Sequence, residues 1–83
     1  MINIVPEVIE AKPLSDYKVK VKFMNGDEGI FDVKPYLEVG PAFIKLKDFS
    51  YFNGVKAIFG VVSWYDEVDF APQLVFEESK RTN

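Results

Sequence analysis

Tyr17-Lys18-Val19-Lys20-Val21-Lys22-Phe23-Met24-Asn25-Gly26-Asp27-Glu28-Gly29-Ile30-Phe31-Asp32-Val33 is the stretch on which the fold turns. From Tyr17 to Phe23 apolar and lysine residues alternate strictly, the period of a strand with one face buried and one in water. Tyr17, Val19, Val21 and Phe23 therefore belong to a core, and Lys18, Lys20 and Lys22 to solvent. Asn25-Gly26 marks a turn, and Glu28 to Val33 returns as a second strand. A two-residue loop would place Phe31 and Val33 among the lysines. A three-residue loop, Met24-Asn25-Gly26, puts Gly26 at the left-handed position such loops require. It pairs Val19 with Phe31 and Tyr17 with Val33 on the apolar face, and sets Lys22 opposite Glu28 and Lys18 opposite Asp32. A slip of one residue reverses every side chain, so pattern and turn chemistry select the longer loop.

Outward from this hairpin, Ile4 to Lys12 reads as a strand confined to an edge, or to its own beginning, by Pro6. Leu14-Ser15-Asp16 turns the chain. Lys34 to Leu37 reads as one helical turn opened by Pro35 and closed by Gly40. Ala42 to Phe52 spaces Phe43, Leu46, Phe49 and Phe52 about three apart, as a short helix or pair of turns does. Val55 to Phe59 and Val61 to Tyr65 read as strands around Gly60. Asp66-Glu67 turns again, and Pro72 opens a last helical turn or two anchored by Leu74 and Phe76. Lys80 to Asn83 reads as a frayed tail. The expectation is one α+β domain over residues 1–83: a small, mostly antiparallel sheet of about five strands with two or three short helices.

The chain has 83 residues, a net charge of −3, thirteen aromatics, no cysteine and no histidine. That length holds one modest core. The missing side chains exclude a zinc finger, a thiol nucleophile, a disulfide and an imidazole base. Nothing at Met1-Ile2-Asn3 resembles a secretory leader, and the longest uncharged run, Ala57 to Tyr65, is far short of the ~20 residues that span a bilayer. The expectation is a cytoplasmic protein without a membrane segment or cofactor. Charge is uneven: Lys12 to Lys56 carries eight lysines against six acids, and Ala57 to Glu78 five acids and no base. Two ends of opposite sign suit self-association or the choice of a partner.

Among candidate sites, Asp66, Glu67 and Asp69 could bind a hard cation, or could be a solvated turn in which Asp69 caps the following helix. Asp32 with Asp69, or Glu28 with Glu67, could pair as glycosidase carboxylates do, or could serve as surface ion pairs. Lys18, Lys20 and Lys22 could meet nucleic acid, but the hairpin register neutralises them, which argues against direct nucleic acid binding. Trp64, Tyr65 and Phe70 could anchor a protein interface, with the core as the competing destination for Trp64.

With Phe23, Asn25-Gly26, Phe31-Asp32-Val33, Leu46-x-Asp48, Phe52, Val55, Trp64 and Asp69-x-Ala71-Pro72-x-Leu74, nearly the whole chain resembles a bacterial family known as domain of unknown function 2442. Tyr65-Asp66-Glu67-Val68 departs from that family's stretch richer in Asn and Gly. The resemblance implies a small α+β domain found alone or joined to a helix-turn-helix, often encoded beside another small protein. It implies an accessory, regulatory or antitoxin-like role and no catalytic residue. The leading expectation is a non-enzymatic protein-interaction module that binds a small protein partner, itself, or both. A divalent-metal or carboxylate-based enzyme is the alternative, and a nucleic-acid-associated regulator acting through a partner is the third.

Overall fold

The computed structural model describes residues 5–82. Seven strands form two antiparallel sheets: β1 (Val8–Leu14), β2 (Lys18–Phe23), β3 (Glu28–Asp32) and β7 (Lys80–Arg81) in the order β1-β2-β3-β7, and β4 (Val55–Ile58), β5 (Val61–Trp64) and β6 (Val68–Phe70) in chain order. Between β3 and β4 run a 3₁₀ turn (Lys34–Tyr36), α1 (Pro41–Ile44), a second 3₁₀ turn (Lys45–Lys47) and α2 (Phe49–Phe52); α3 (Pro72–Glu78) links β6 to β7. The architecture is α+β with antiparallel pairing, as the alternation predicts. The strands divide into two sheets because the helical segment from Lys34 to Phe52 separates the first hairpins from β4 to β6.

The Tyr17 to Val33 hairpin has the expected register. Val19 pairs with Phe31, Lys18 with Asp32 and Lys22 with Glu28, and the Val33 N–H donates to the Tyr17 carbonyl at 2.9 Å. The loop is Met24-Asn25-Gly26, closed by the Phe23 N–H on the Asp27 carbonyl at 2.8 Å, with Gly26 at φ +94°. Val19, Val21, Phe23, Phe31 and Val33 are wholly buried against Val55, Val62, Trp64, Val68 and Phe70 of the second sheet, with Leu46, Phe52 and Val75 from the helical segments.

The two ends of the first sheet differ from the expectation. The first strand is Val8–Leu14, so Pro6 precedes it and Pro13 is the proline on its edge; Ile4 lies outside the described residues. A bulge at Ile9 shifts the pairing from Val8–Phe23 to Glu10–Lys22. β1 also lies against β4, and the Val8 N–H donates to the Gly60 carbonyl at 3.0 Å, joining the sheets. The expected frayed tail is instead β7, with Asn83 outside the described residues. Gly29 explains how β7 fits: a Cβ there would stand 3.0 Å from the Lys80 carbonyl oxygen. Arg81 then holds the strand, its guanidinium 4.2 Å from the Phe76 ring centroid and 5.2 Å from that of Phe23, with Nε 3.4 Å from Asp27. Stacking a cation on two rings adds about 0.5–1 kcal/mol per contact where the site is partly open.

At α3 the N-cap is Ala71, with Pro72 in the first turn and no side-chain cap. Asp69 is therefore not a helix cap; it lies in β6. Asp69 stands two residues before the N-cap and is held in the ladder opposite Ser63, away from the second- and third-position amides a cap would serve. Asp48 does cap α2, accepting the Ser50 N–H at 2.9 Å.

Candidate functional site

Trp64 and Phe70 are interior residues, with relative exposures of 0% and 3%. Trp64 packs on Phe52 and Phe70, and its indole N–H donates to the Phe52 carbonyl at 2.8 Å. Neither can present a surface to a partner. Tyr65 is exposed, but its ring lies 5.0 Å from that of Tyr51 and directly over Gly54, where a Cβ would come within 2.2 Å of the Tyr65 hydroxyl.

The acidic run is also dispersed. Glu67 accepts the Tyr51 hydroxyl at 2.9 Å and lies 3.4 Å from the Lys45 ammonium. Those partners, the hydroxyl first, hold its carboxyl below the usual range. That is the opposite of the upward shift a general acid needs. Asp69 shares the outer face of the second sheet with Ser63, its partner in the β5–β6 ladder, whereas Asp32 lies on the first sheet. The proposed Asp32–Asp69 and Glu28–Glu67 pairs thus fall on different sheets or turns. No three metal-ligating side chains converge among the described residues.

Two lysines of the row, Lys18 and Lys20, are tied locally, while Lys22 makes no ion pair among the described residues. Lys18 lies 3.2 Å from Asp16, Lys20 3.9 Å from Glu28 and Lys12 3.6 Å from Glu10. Asp16 also takes the Lys34 ammonium, the main cause of its lowered pKa, with Lys18 second. Lys18 and Lys20 thus use the adjacent turn and the diagonal rather than the residues directly opposite, and Lys12 pairs along its own strand.

A different residue stands out on backbone grounds. Among the described residues five that are not glycine have positive φ, and three of them are aromatic: Tyr17 (59°), Phe59 (50°) and Tyr65 (55°). A bulky side chain in that region costs roughly 1–2 kcal/mol. Tyr17 offsets this by stacking on Phe49 at 5.2 Å, meeting Phe52 edge-on at 5.5 Å and donating its hydroxyl to the Lys47 carbonyl at 2.7 Å. Tyr65 has Tyr51 and Gly54. Phe59 has nothing comparable: it is 97% exposed and makes no ring contact among the described residues.

Phe59 and Gly60 (φ +81°) form the two-residue loop between Ile58 and Val61. Positive φ at both places is the signature of a type I′ turn, whose first position favours Asn or Asp. A phenylalanine there strains the turn and adds nothing to the core. Its surroundings are apolar and acidic. Glu7 packs on Gly60 closely enough that a Cβ would stand 2.9 Å from its side chain. The Glu7 carbonyl accepts the N–H of Met24, itself 63% exposed. Ile58, Phe59, Val61, Ser63, Asp66 and Asp69 line a shallow groove of about 210 Å³. Glu7 also belongs, with Val5, Pro6, Met24 and Asn25, to the lining of a separate broad depression. Sequence reading passes over Phe59 by treating it as a strand end. The available signal is Phe-Gly where a tight turn calls for Asn-Gly.

Two tyrosines give the protein a test in alkali. The Tyr36 hydroxyl donates to Glu78, and that bond, with burial second, pushes its pKa up to about 12. Burial and the Glu67 bond push Tyr51 up to about 12 as well. Both phenols hold their protons more tightly folded than unfolded, where the pKa is about 10. Their stabilisation is therefore complete below about pH 10 and is lost as the pH rises from 10 toward 12. Phenolate absorbance should show these two of the four tyrosines titrating late, and Tyr36→Phe with Tyr51→Phe should remove the late phase. A phenol of Tyr36 or Tyr51 that titrates near pH 10 would contradict its hydrogen bond.

Among the described residues no helix is long and apolar enough to cross a membrane. A family model described as protein of unknown function (DUF2442) matches residues 8–81, from the first residue of β1 to the last of β7. No curated protein and no solved structure matches the chain.

Proposed function

The chain belongs to that family of proteins of unknown function, and from this premise we propose that it is a non-enzymatic, cytoplasmic protein-interaction module. It acts as an accessory or antitoxin-like regulator and contacts its partner, another small protein or a second copy, through the Phe59 end. The observation that carries this reading is the bare, strained Phe59. A left-handed aromatic that packs on nothing weakens the folded chain, and such strain collects where a surface has work to do. An exposed aromatic set beside Ile58 and Val61 on one shallow groove has the composition of an interface core. The metal and carboxylate-enzyme alternative gains no support from Glu67, which is committed to Tyr51 and Lys45.

Phe59→Asn separates the two roles of the residue. It installs Asn-Gly in a type I′ turn, so the variant should be more stable by about 1 kcal/mol, a rise in Tm of roughly 4–8 °C for a domain this size. The same substitution should abolish partner capture in co-purification from the native host. A variant that is stabilised yet retains every partner would overturn the reading, and so would one that is destabilised.

A further inference from the structure

The charges left without partners are sorted by surface. Among the described residues seven acids make no ion pair; Asp32, Asp48, Glu77 and Glu78 accept hydrogen bonds instead, and the other three, Glu7, Asp66 and Asp69, surround Phe59. Lys22 and Lys80 also make none, and both lie on the outer face of the first sheet; Lys56, beside Ser63 on the second sheet, is the one unpaired lysine placed elsewhere. That outer face holds a groove of about 380 Å³ lined by Lys18, Ile30, Asp32, Glu78 and Lys80, among others. Its two acids are already engaged: Asp32 accepts the Lys34 N–H at 3.0 Å, and Glu78 accepts the Tyr36 hydroxyl. Its lysines are free or weakly held, since an exposed pair such as Lys18–Asp16 contributes little to stability and exchanges readily.

A cavity of about 150 Å³ is enough to hold a benzene ring, so the groove has room for a phenyl side chain on its Ile30 floor. We propose that Phe59 of one copy enters this groove on a second copy, head to tail, with the acids around Phe59 meeting Lys18 and Lys80 at the rim. This rests on the reading of Phe59 as the contact residue and names its occupant. A symmetric contact between two Phe59 ends is disfavoured, because each would bring Glu7, Asp66 and Asp69 against the same three acids. A heterologous contact joins unlike surfaces, and it propagates unless the rotation closes a ring.

That geometry has a signature that symmetric dimers lack. In sedimentation velocity over a micromolar to millimolar series, the wild-type chain should form dimers and larger species that weaken as salt is raised. Phe59→Asn destroys the knob and leaves the groove, whereas Lys80→Glu, at an exposed position, reverses the rim and leaves the knob. Each alone should weaken association at least about tenfold. Mixed in equal amounts they should give a one-to-one dimer and nothing larger, because each pair keeps one knob and one groove. Ile30→Asp should replace Lys80→Glu in the mixture with the same result. A mixture that stays monomeric, or variants that each still dimerise, overturns the head-to-tail contact. A wild-type chain that is monomeric throughout overturns the self-association alone; the reading beneath it falls only if Phe59→Asn also leaves the capture of another protein unchanged.

Discussion

Trp64→Ala should leave the protein mostly unfolded, or so close to it that mild urea completes the transition. A fully buried tryptophan cut back to alanine costs about 3–5 kcal/mol through lost transfer energy and the cavity left behind. The indole N–H is also the donor to the Phe52 carbonyl, and orphaning a buried acceptor adds about 1–3 kcal/mol. A chain of 83 residues has only about 4–12 kcal/mol in total. Far-ultraviolet circular dichroism against urea measures the result. Trp64→Phe separates the two contributions, since it keeps an aromatic ring and loses the donor. An alanine variant with a wild-type midpoint would refute the buried position of the indole.

Phe70→Ala should come next in severity. Its ring lies 5.1 Å from Phe31, 5.3 Å from Tyr36, 5.4 Å from Phe43 and 5.8 Å from Trp64. It thus ties β3 and the helical segment to the second sheet. The expected cost is about 3–5 kcal/mol, without the orphaned carbonyl of the tryptophan variant. Trp64 and Phe70 touch, so their losses should not add. The milder pair Trp64→Phe and Phe70→Leu keeps the fold measurable, and the double variant should lose less than the sum of the singles. Strict additivity in urea midpoints would mean that the rings act independently. Loss of binding in either alanine variant would report unfolding rather than a lost contact, which makes Phe59 the informative probe of the surface.

The hairpin from Tyr17 to Val33 was legible to the residue because three local signals agreed: alternation, Asn-Gly, and the sign of the charges across the ladder. The turns around Gly60 and Asp66 were marked more thinly, by one glycine and by two consecutive acids between apolar runs. Trp64 and Phe70 were not, because burial is decided by what the chain brings from afar. Phe52 is twelve residues from the indole it receives. β7 was hidden for a related reason: two residues, Lys80–Arg81, carry no periodicity, and only Gly29 in mid-strand hints that another backbone comes close. Asp69 shows the limit of a cap read from composition, since β6 continues through it and the N-cap falls two residues later, at Ala71. Phe59 lay in plain view but was absorbed into a strand, because hydrophobicity was weighed there before backbone geometry.

The short C-terminal strand also has a bearing on the order of events in folding. Every other pairing joins neighbours in sequence across a loop of two to four residues, the kind that closes in microseconds. The Arg81–Asp27 contact spans 54 positions, so its loop entropy must be met before it returns anything. β7 is therefore the last strand to dock and the first to leave. In hydrogen exchange the Thr82 amide, which donates to the Glu28 carbonyl at 2.9 Å, should open well before those of β2. The hairpins fold as local units, the shared core and the Val8–Gly60 hydrogen bond join the two sheets, and the arginine clasp fastens β7 to the first of them.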